Sequence, residues 1–306
     1  MVGIAIINYN KYEKTIECID SIRKTTNIPY KVYLIDNGSN NESGKILSEK
    51  YSDSNDVEVI LSEDNLGYAK GNNICIDRMI KDGCDYGVIS NNDIICTKDS
   101  IELLINTLVD NPKYLLVGPK ILSPTGKNQK SIILKQYGKL EYLKKNTYLY
   151  KLNRKSINKE INEIEKIIDF CRVSWVSGAF FAFDIKKMIQ VEKFDPNTFL
   201  FFEEYILATK ASNHGFVLGY NPNAKVIHDH GFTTGGGVNI NSKIAADQSE
   251  YYYINKFSKN GIVFLTILRV VRKMEVLFTF GKRKEFSSIH KYSKEIKQYK
   301  KKLKQQ

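Results

Sequence analysis

The sequence predicts an α/β fold with a mainly parallel central sheet, followed by a helical, basic C-terminal tail. Three observations predict it. In the first 120 residues, short β-rich runs alternate with segments of helical spacing. The runs are apolar almost throughout, as in strands covered on both faces. Each run leads into a polar cluster, the layout of a sheet that binds ligands at the carboxyl ends of its strands.

Strand one is "VGIAIIN", closed by Asn8-Tyr9-Asn10. A helix follows from Tyr12 to Thr26, where Ile16, Ile19 and Ile22 recur at three-residue steps. "KVYLID" is strand two, ending in Asp36-Asn37-Gly38-Ser39, and "VEVIL" is strand three, leading to Asn65-Leu66-Gly67-Tyr68. Asn72 to Asp82 reads as a helix on the four-residue step from Ile76 to Ile80. "YGVIS" is strand four and stops at Asn91-Asn92-Asp93. From Gly126 to Asp169 the pattern loosens to a helix plus loop. Strand patterning returns at "VSWVSGAFFAF", a helix runs from "FFEE" through Ala211, and "FVLGYNPNAKVIHDHG" reads as a strand pair. "FTTGGGVN" reads as a mobile glycine-rich loop.

The 306 residues carry a net charge of +12. From Lys256 to Gln306 there are fifteen Lys/Arg and three Asp/Glu, so this tail accounts for the whole excess. A neutral body with a basic tail is not a uniformly basic nucleic-acid binder, and no nucleic acid is expected as partner. The expected division is residues 1–235 as the catalytic body and 236–306 as a helical basic extension. Within Ile262 to Phe280, Thr266, Arg269, Arg272 and Lys273 fall on one polar stripe opposite an apolar face. Such a helix suits a membrane interface, or it packs on the body with its lysines in water. Five cysteines without a C-x-x-C pair suit reduced thiols, and the chain starts with no signal-peptide pattern, so a cytoplasmic location is expected.

Asp93 sits among amides at a strand end, a setting for Mg²⁺ or Mn²⁺, but taken alone the stretch reads better as an Asx turn or helix cap. Asp36 could accept from the ring N–H of a nucleobase, or serve a turn. Glu203-Glu204 could provide a general base, or simply favourable charge at a helix start. His228, at a strand end, is a plausible added metal ligand. "NYNKYEK" after strand one lacks the glycines of a dinucleotide fingerprint, and no P-loop is present.

Together, "IAIINYNKYEKTIECIDSI", "VYLIDNGSNN", "NLGYAKGNN", "VISNNDI", "VSWVSGAFF", "FDPNTFLFFEE" and "KVIHDHG" resemble the inverting family 2 glycosyltransferases of GT-A fold. The likeness is nearest to rhamnosyltransferase-like members that build bacterial surface polysaccharide. It covers roughly residues 2 to 235. The resemblance implies a nucleoside diphosphate-sugar donor and a glycan or lipid-linked saccharide acceptor. It places Asn8, Asp36 and Asn37 at the base and ribose, with Asn65, Gly67 and Asn73 along the same nucleotide. Asn91, Asn92 and Asp93 stand for the family's Asp-x-Asp motif, with Asp93 and His228 on the metal and Asn91 near the ribose. Trp175, Gly178, Ala179 and Glu203 would flank donor sugar and acceptor, and Glu204 would be the base.

Two departures stand out. Glu204 replaces the usual aspartate, and Ile206 stands where a further acid is common, with Lys210 near the position of an arginine. The rival on the same fold is a catalytically weakened nucleotide-sugar-binding scaffold. A nucleotidyltransferase would want a glycine-rich basic loop after strand one, which is missing.

Overall fold

The computed structural model describes residues 1–147, 160, 162–229, 239–258 and 262–303. The first half is a run of parallel units: β1 (Val2–Asn8), α1 (Tyr12–Thr25), β2 (Tyr30–Asn37), α2 (Ser43–Lys50), β3 (Val57–Ser62), α3 (Gly67–Lys81) and β4 (Tyr86–Asn91). β5 (Ile94–Cys96), α4 (Ser100–Asp110) and β6 (Tyr114–Leu122) follow. Strands β1, β2 and β4 are buried over most of their length, which accounts for their unbroken apolar sequence, whereas β3, at the sheet edge, is mostly half-buried. One core lies on each face of the sheet. Ile19, Ile22, Leu104 and Leu108 pack on one side, and Ile76, Met79, Phe181 and Phe194 on the other.

Smaller pieces follow, some joining the main sheet and two short strands pairing with each other in a separate one. These are β7 (Ile132–Ile133), α5 (Lys139–Asn146), β8 (Cys171–Val173), β9 (Trp175–Val176), β10 (Phe180–Asp184), α6 (Ile185–Gln190), α7 (Glu203–Asn213) and β11 (Val217–His228). The order is β3-β2-β1-β4-β10-β6-β11-β5, with β8 also on β11. β3, β2, β1 and β4 are parallel, β10 is antiparallel to both neighbours, and β11 runs parallel to β6.

The segment expected as a strand pair is one strand, β11, interrupted by a bulge. Its register on β6 jumps between Asn221 and Lys225. Pro222 brings no N–H to the ladder, and the Asn221 side chain accepts from the Asn223 amide, so chain is absorbed there without a turn. The glycine-rich loop, residues 232–239, lies outside the described residues except for its last position.

The C-terminal helices are α8 (Ile240–Lys256), α9 (Ile262–Lys282) and α10 (Phe286–Leu303). They share a third core, including Tyr251, Phe264, Leu268, Val276 and Ile296, into which Tyr142 of α5 and Ile206 of α7 also insert. Ile206 is fully buried there. The missing acid of the family pattern is thus a packing contact between the sheet body and the tail. Among the described residues, no helix is long and apolar enough to cross a membrane.

The polar stripe expected on α9 is divided by the structure. Arg272 turns inward and holds Glu250 of α8 bidentately, through Nε and Nη2 at 2.7 Å each. Its Nη1 donates to Glu275 at 2.9 Å. Neighbouring Lys273 is exposed. Arg272→Ala would remove the counter-charge of a fully buried carboxylate and is predicted to destabilise the fold by about 3–5 kcal/mol. Lys273→Ala should change stability by less than about 0.5 kcal/mol. Urea unfolding of the two variants measures both.

Candidate active site

The register of the sheet assembles the site. Asn8 stands beside Asp36 across β1 and β2, and Ile7 stands beside Asn91 across β1 and β4. The polar strand ends therefore reach one edge together. Asn8 Nδ2 donates to Asp36 Oδ1 at 2.6 Å, and Ser39 Oγ donates to the same oxygen at 2.6 Å. Asn92 Nδ2 donates to Thr15 Oγ1 at 3.0 Å, and Thr15 Oγ1 donates to Asn8 Oδ1 at 2.8 Å. These buried side chains thus knit the loops after β1, β2 and β4 into one floor. Asn37 extends it: its Oδ1 accepts from the Leu66 amide at 3.0 Å, and its Nδ2 donates to Asn65 Oδ1 at 3.2 Å.

Gly67 opens α3 with φ +79°, and a Cβ there would lie 2.3 Å from the carbonyl oxygen of Phe199. That carbonyl accepts from the Tyr68 amide at 2.9 Å. The Asn65–Tyr68 loop is thereby docked on the segment leading to Glu203. Asn73 stands apart from the rest. It exchanges two hydrogen bonds with the Phe194 backbone, at 2.9 and 3.1 Å, and so braces that same segment.

At the other end of the edge, β5 pairs antiparallel with β11, with Ile94 opposite His228. This pairing brings Asp93 Oδ1 within 3.0 Å of His228 Nε2, both side chains being almost wholly buried. The Asp229 amide donates to the Asp93 carbonyl at 3.1 Å. A hard carboxylate oxygen and an imidazole nitrogen converging at this distance fit a divalent cation whose remaining positions go to phosphate oxygens. Among the described residues no group of three His, Cys, Asp or Glu forms a closed metal cage. Two protein donors suit an ion shared with a ligand better than a structural one.

The third part is the carboxylate pair. Phe201 and Phe202 both hold left-handed backbone, φ 70° and 69°, immediately before α7. Two consecutive non-glycine residues in that region mark a strained approach to the helix. Glu203 is buried and its pKa is driven well above the usual carboxylate range, by desolvation first and by the Glu204 charge second. Glu204 is also pushed up, mainly by desolvation, against the opposing pull of backbone donors. One of these donors is the Gly178 amide, 2.9 Å from Glu204 Oε1. A Cβ at Gly178 would push on the ends of two side chains, lying 2.5 Å from Glu204 Oε1 and 2.8 Å from the Tyr68 hydroxyl. Tyr68 donates that hydroxyl to the Gly178 carbonyl at 2.6 Å. Ala179 then accepts from the Asn91 amide at 2.8 Å, which ties the segment holding Glu204 to the Asn91–Asp93 turn.

Trp175 lies 5.6 Å, centroid to centroid, from the Tyr205 ring, and Tyr205 stacks on Phe202 at 5.1 Å. The indole Nε1 finds no hydrogen-bond partner among the described residues. Tyr68 is the site residue that the reading of the motifs passed over. It sits inside "NLGYAKGNN", but nothing in the sequence shows that its hydroxyl reaches a glycine 110 residues away. Lys210 is turned from the site and donates to the carbonyls of Glu192 and Lys193.

The family described as "Glycosyl transferase family 2" matches residues 3–188, more than half of the chain. The chain belongs to glycosyl transferase family 2. A curated relative, "Glycosyltransferase GlyG" of Streptococcus pneumoniae serotype 4 (strain ATCC BAA-334 / TIGR4), is 26% identical over 118 residues. That alignment spans 39% of this chain and 38% of the relative. Among solved structures, GalNAc-T7 with UDP, GalNAc and Mn²⁺ superposes with a TM-score of 0.63 at 13% identity. It covers 85% of this chain and 49% of the other. The mannosyltransferase PcManGT of Pyrobaculum calidifontis, in complex with GDP-Man and Mn²⁺, gives 0.55 at 12% identity, over 95% of this chain and 73% of the other. This family 2 glycosyltransferase has the GT-A fold, with the mainly parallel sheet and helical C-terminal region described above.

Two outcomes are predicted for this family 2 glycosyltransferase. Gly178→Ala should displace Glu204 and lower transfer roughly a hundredfold with the fold intact, read as initial rates beside circular dichroism. For Glu203 the folded state favours the neutral carboxyl. Its stabilising contribution is complete below the ordinary glutamate range and is lost as pH rises through the raised folded value. Glu203→Gln, neutral at every pH, should therefore flatten the fall of melting temperature as pH rises above the ordinary glutamate range. A parallel decline in variant and wild type would contradict the assignment.

Proposed function

We propose that this chain is a metal-dependent, inverting hexosyltransferase. It moves a sugar from a nucleoside diphosphate-sugar to a hydroxyl of a glycan or lipid-linked acceptor in cell-surface polysaccharide synthesis. The observation that carries the reading is the anchoring of Glu204 to Gly178, one strand from the turn that presents Asp93 to His228. A raised base and a cation-type donor pair thus share one sheet edge. The UDP and Mn²⁺ with one solved neighbour and the GDP-Man and Mn²⁺ with the other agree with it.

In this reading the floor of Asn8, Asp36, Asn37, Asn65 and Gly67 receives the nucleoside, with Asn91 beside the ribose and Asn92 in the same nucleotide-sugar site. Asp93 and His228 would hold Mg²⁺ or Mn²⁺, which when bound supplies positive charge against the diphosphate leaving group. Trp175, Gly178, Ala179 and Glu203 shape the space for donor sugar and acceptor. Glu204 takes the proton of the acceptor hydroxyl. The hydroxyl oxygen forms the new bond to the anomeric carbon from the face opposite the diphosphate. The old carbon–oxygen bond breaks, its electron pair leaves with the nucleoside diphosphate, and the configuration inverts. The desolvation that raises Glu204 strengthens its carboxylate as a base. Residues 1–235 would be the catalytic body, and the rhamnosyltransferase-like subgroup and cytoplasmic setting belong to the same proposal.

The scaffold alternative draws on Ile206, whose buried packing removes an acid from the family pattern. Glu204→Gln decides between the two. It should lower transfer by about three orders of magnitude or more while leaving the Mn²⁺-dependent thermal shift by donor intact. In the wild type, the acid limb of the pH–rate profile should lie above the ordinary glutamate range. Donor binding by a wild type that transfers to no glycan or lipid-linked acceptor would overturn the enzyme reading.

A further inference from the structure

The outward side of α9 is the largest anomaly outside the sheet edge. A helix packed on a globular body normally exposes polar residues there. Here Val263, Ile267, Val270, Met274, Leu277 and Phe278 are all exposed, from 40% for Leu277 to 72% for Val263. At 100° per residue they form one continuous stripe, about 22 Å long at 1.5 Å per residue. The opposite side of the helix, with Phe264, Leu265, Leu268, Val276 and Phe280, is already buried against α8 and α10. The stripe is therefore surplus to folding.

Cations border it along both edges. On one side lie Arg269 and Lys273, with Lys300 of α10 close enough that their charges, after burial, hold its pKa down. None of the three is ion-paired with a carboxylate among the described residues, and Arg269 Nε is buried without a hydrogen-bond partner. On the other side Lys282 caps the Phe278 ring at 4.1 Å. Three clustered cations without counter-charges repel one another, and an external anion relieves that repulsion. α9 lies within residues 256–306, which together carry the whole excess charge of the chain. An apolar strip between two basic margins is complementary to a bilayer of anionic lipid, with acyl chains for the strip and phosphates for the margins.

We propose that α9 is a docking surface for an anionic lipid bilayer, lying in its interface without crossing it. The exposed stripe enters the headgroup boundary, while Arg269, Lys273, Lys300 and Lys282 meet lipid phosphates. The fold carries this placement to the catalytic edge. α8 packs beneath α9 and fixes the segment before Glu203: Ser249 Oγ donates to the Leu200 carbonyl at 3.0 Å, and the Tyr252 hydroxyl donates to Asp195 at 2.9 Å. A transferase held this way is positioned for an acceptor that is itself anchored in lipid. Bilayer binding is independent of the glycosyl-transfer reading, because it is measured without donor or acceptor.

The test is flotation of the full chain with phosphatidylcholine vesicles, with and without about one third phosphatidylglycerol. Binding should require the anionic lipid and weaken as salt is raised. Val270→Asp with Met274→Asp should reduce it roughly tenfold or more, because both positions are exposed and no core contact is lost. Circular dichroism and the donor thermal shift check the fold of the variant. Hydrogen exchange on the wild type gives a reading that needs no variant: vesicles should slow exchange across Ile262–Lys282. Failure of anionic vesicles to bind, equal binding by the variant, or protection confined to other elements would overturn the proposal. So would a wild-type dimer that the double variant converts to monomer without any lipid effect, since the stripe would then cover a second copy of the chain.

Discussion

Parallel pairing without a slip across β3, β2, β1 and β4 is the constraint on which the rest of the molecule depends. Asn8, Asp36 and Leu61 share one level, and Ile7 faces Asn91. A shift of one residue would turn every side chain to the opposite face, exchanging the two cores and scattering the polar termini. With the register fixed, the termini can satisfy one another. Asn8 alone bonds to Asp36, Ser39 and Thr15. Such a network keeps buried amides and a carboxylate affordable in a place where a bare polar group would destabilise the fold.

Antiparallel elements then bring the remaining chemistry to that edge. β10 inserts between β4 and β6, so the chain just before it, Gly178-Ala179, passes beside Asn91. β5 reverses onto β11 and sets Asp93 against His228. The carboxylates of α7 arrive from a third direction, over the strained Phe201-Phe202 turn, and one is met by the Gly178 amide. Residues between 93 and 228 in the chain are brought together because different strands end at one place. No single segment carries the site.

The parts legible in the sequence were those with one-dimensional signatures. The four parallel strands could be found from their apolar runs, and α1, α3 and α7 from their spacing and starting residues. The order of polar clusters then pointed to one sheet edge. What escaped depended on partners. Arg272 looks like one more member of a polar stripe, because periodicity cannot show that Glu250 waits on a neighbouring helix. A bulge at Pro222 looks like a turn, because its hydrogen-bond accounting is local while the pairing with β6 is not. Asn73 shares a motif with Asn65 yet serves the Phe194 backbone, and Tyr68 reaches Gly178 through folding alone. Ile206 seemed a lost acid, whereas its environment is the core shared with the tail.

Trp175 is the only tryptophan among the 306 residues. It rests on Tyr205, the residue directly after Glu204. The ultraviolet emission of this protein excited at the red edge therefore originates from one corner, beside the carboxylates. A molecule entering that corner alters the polarity around a single indole, so the native chain is its own optical gauge of occupancy and needs no attached dye.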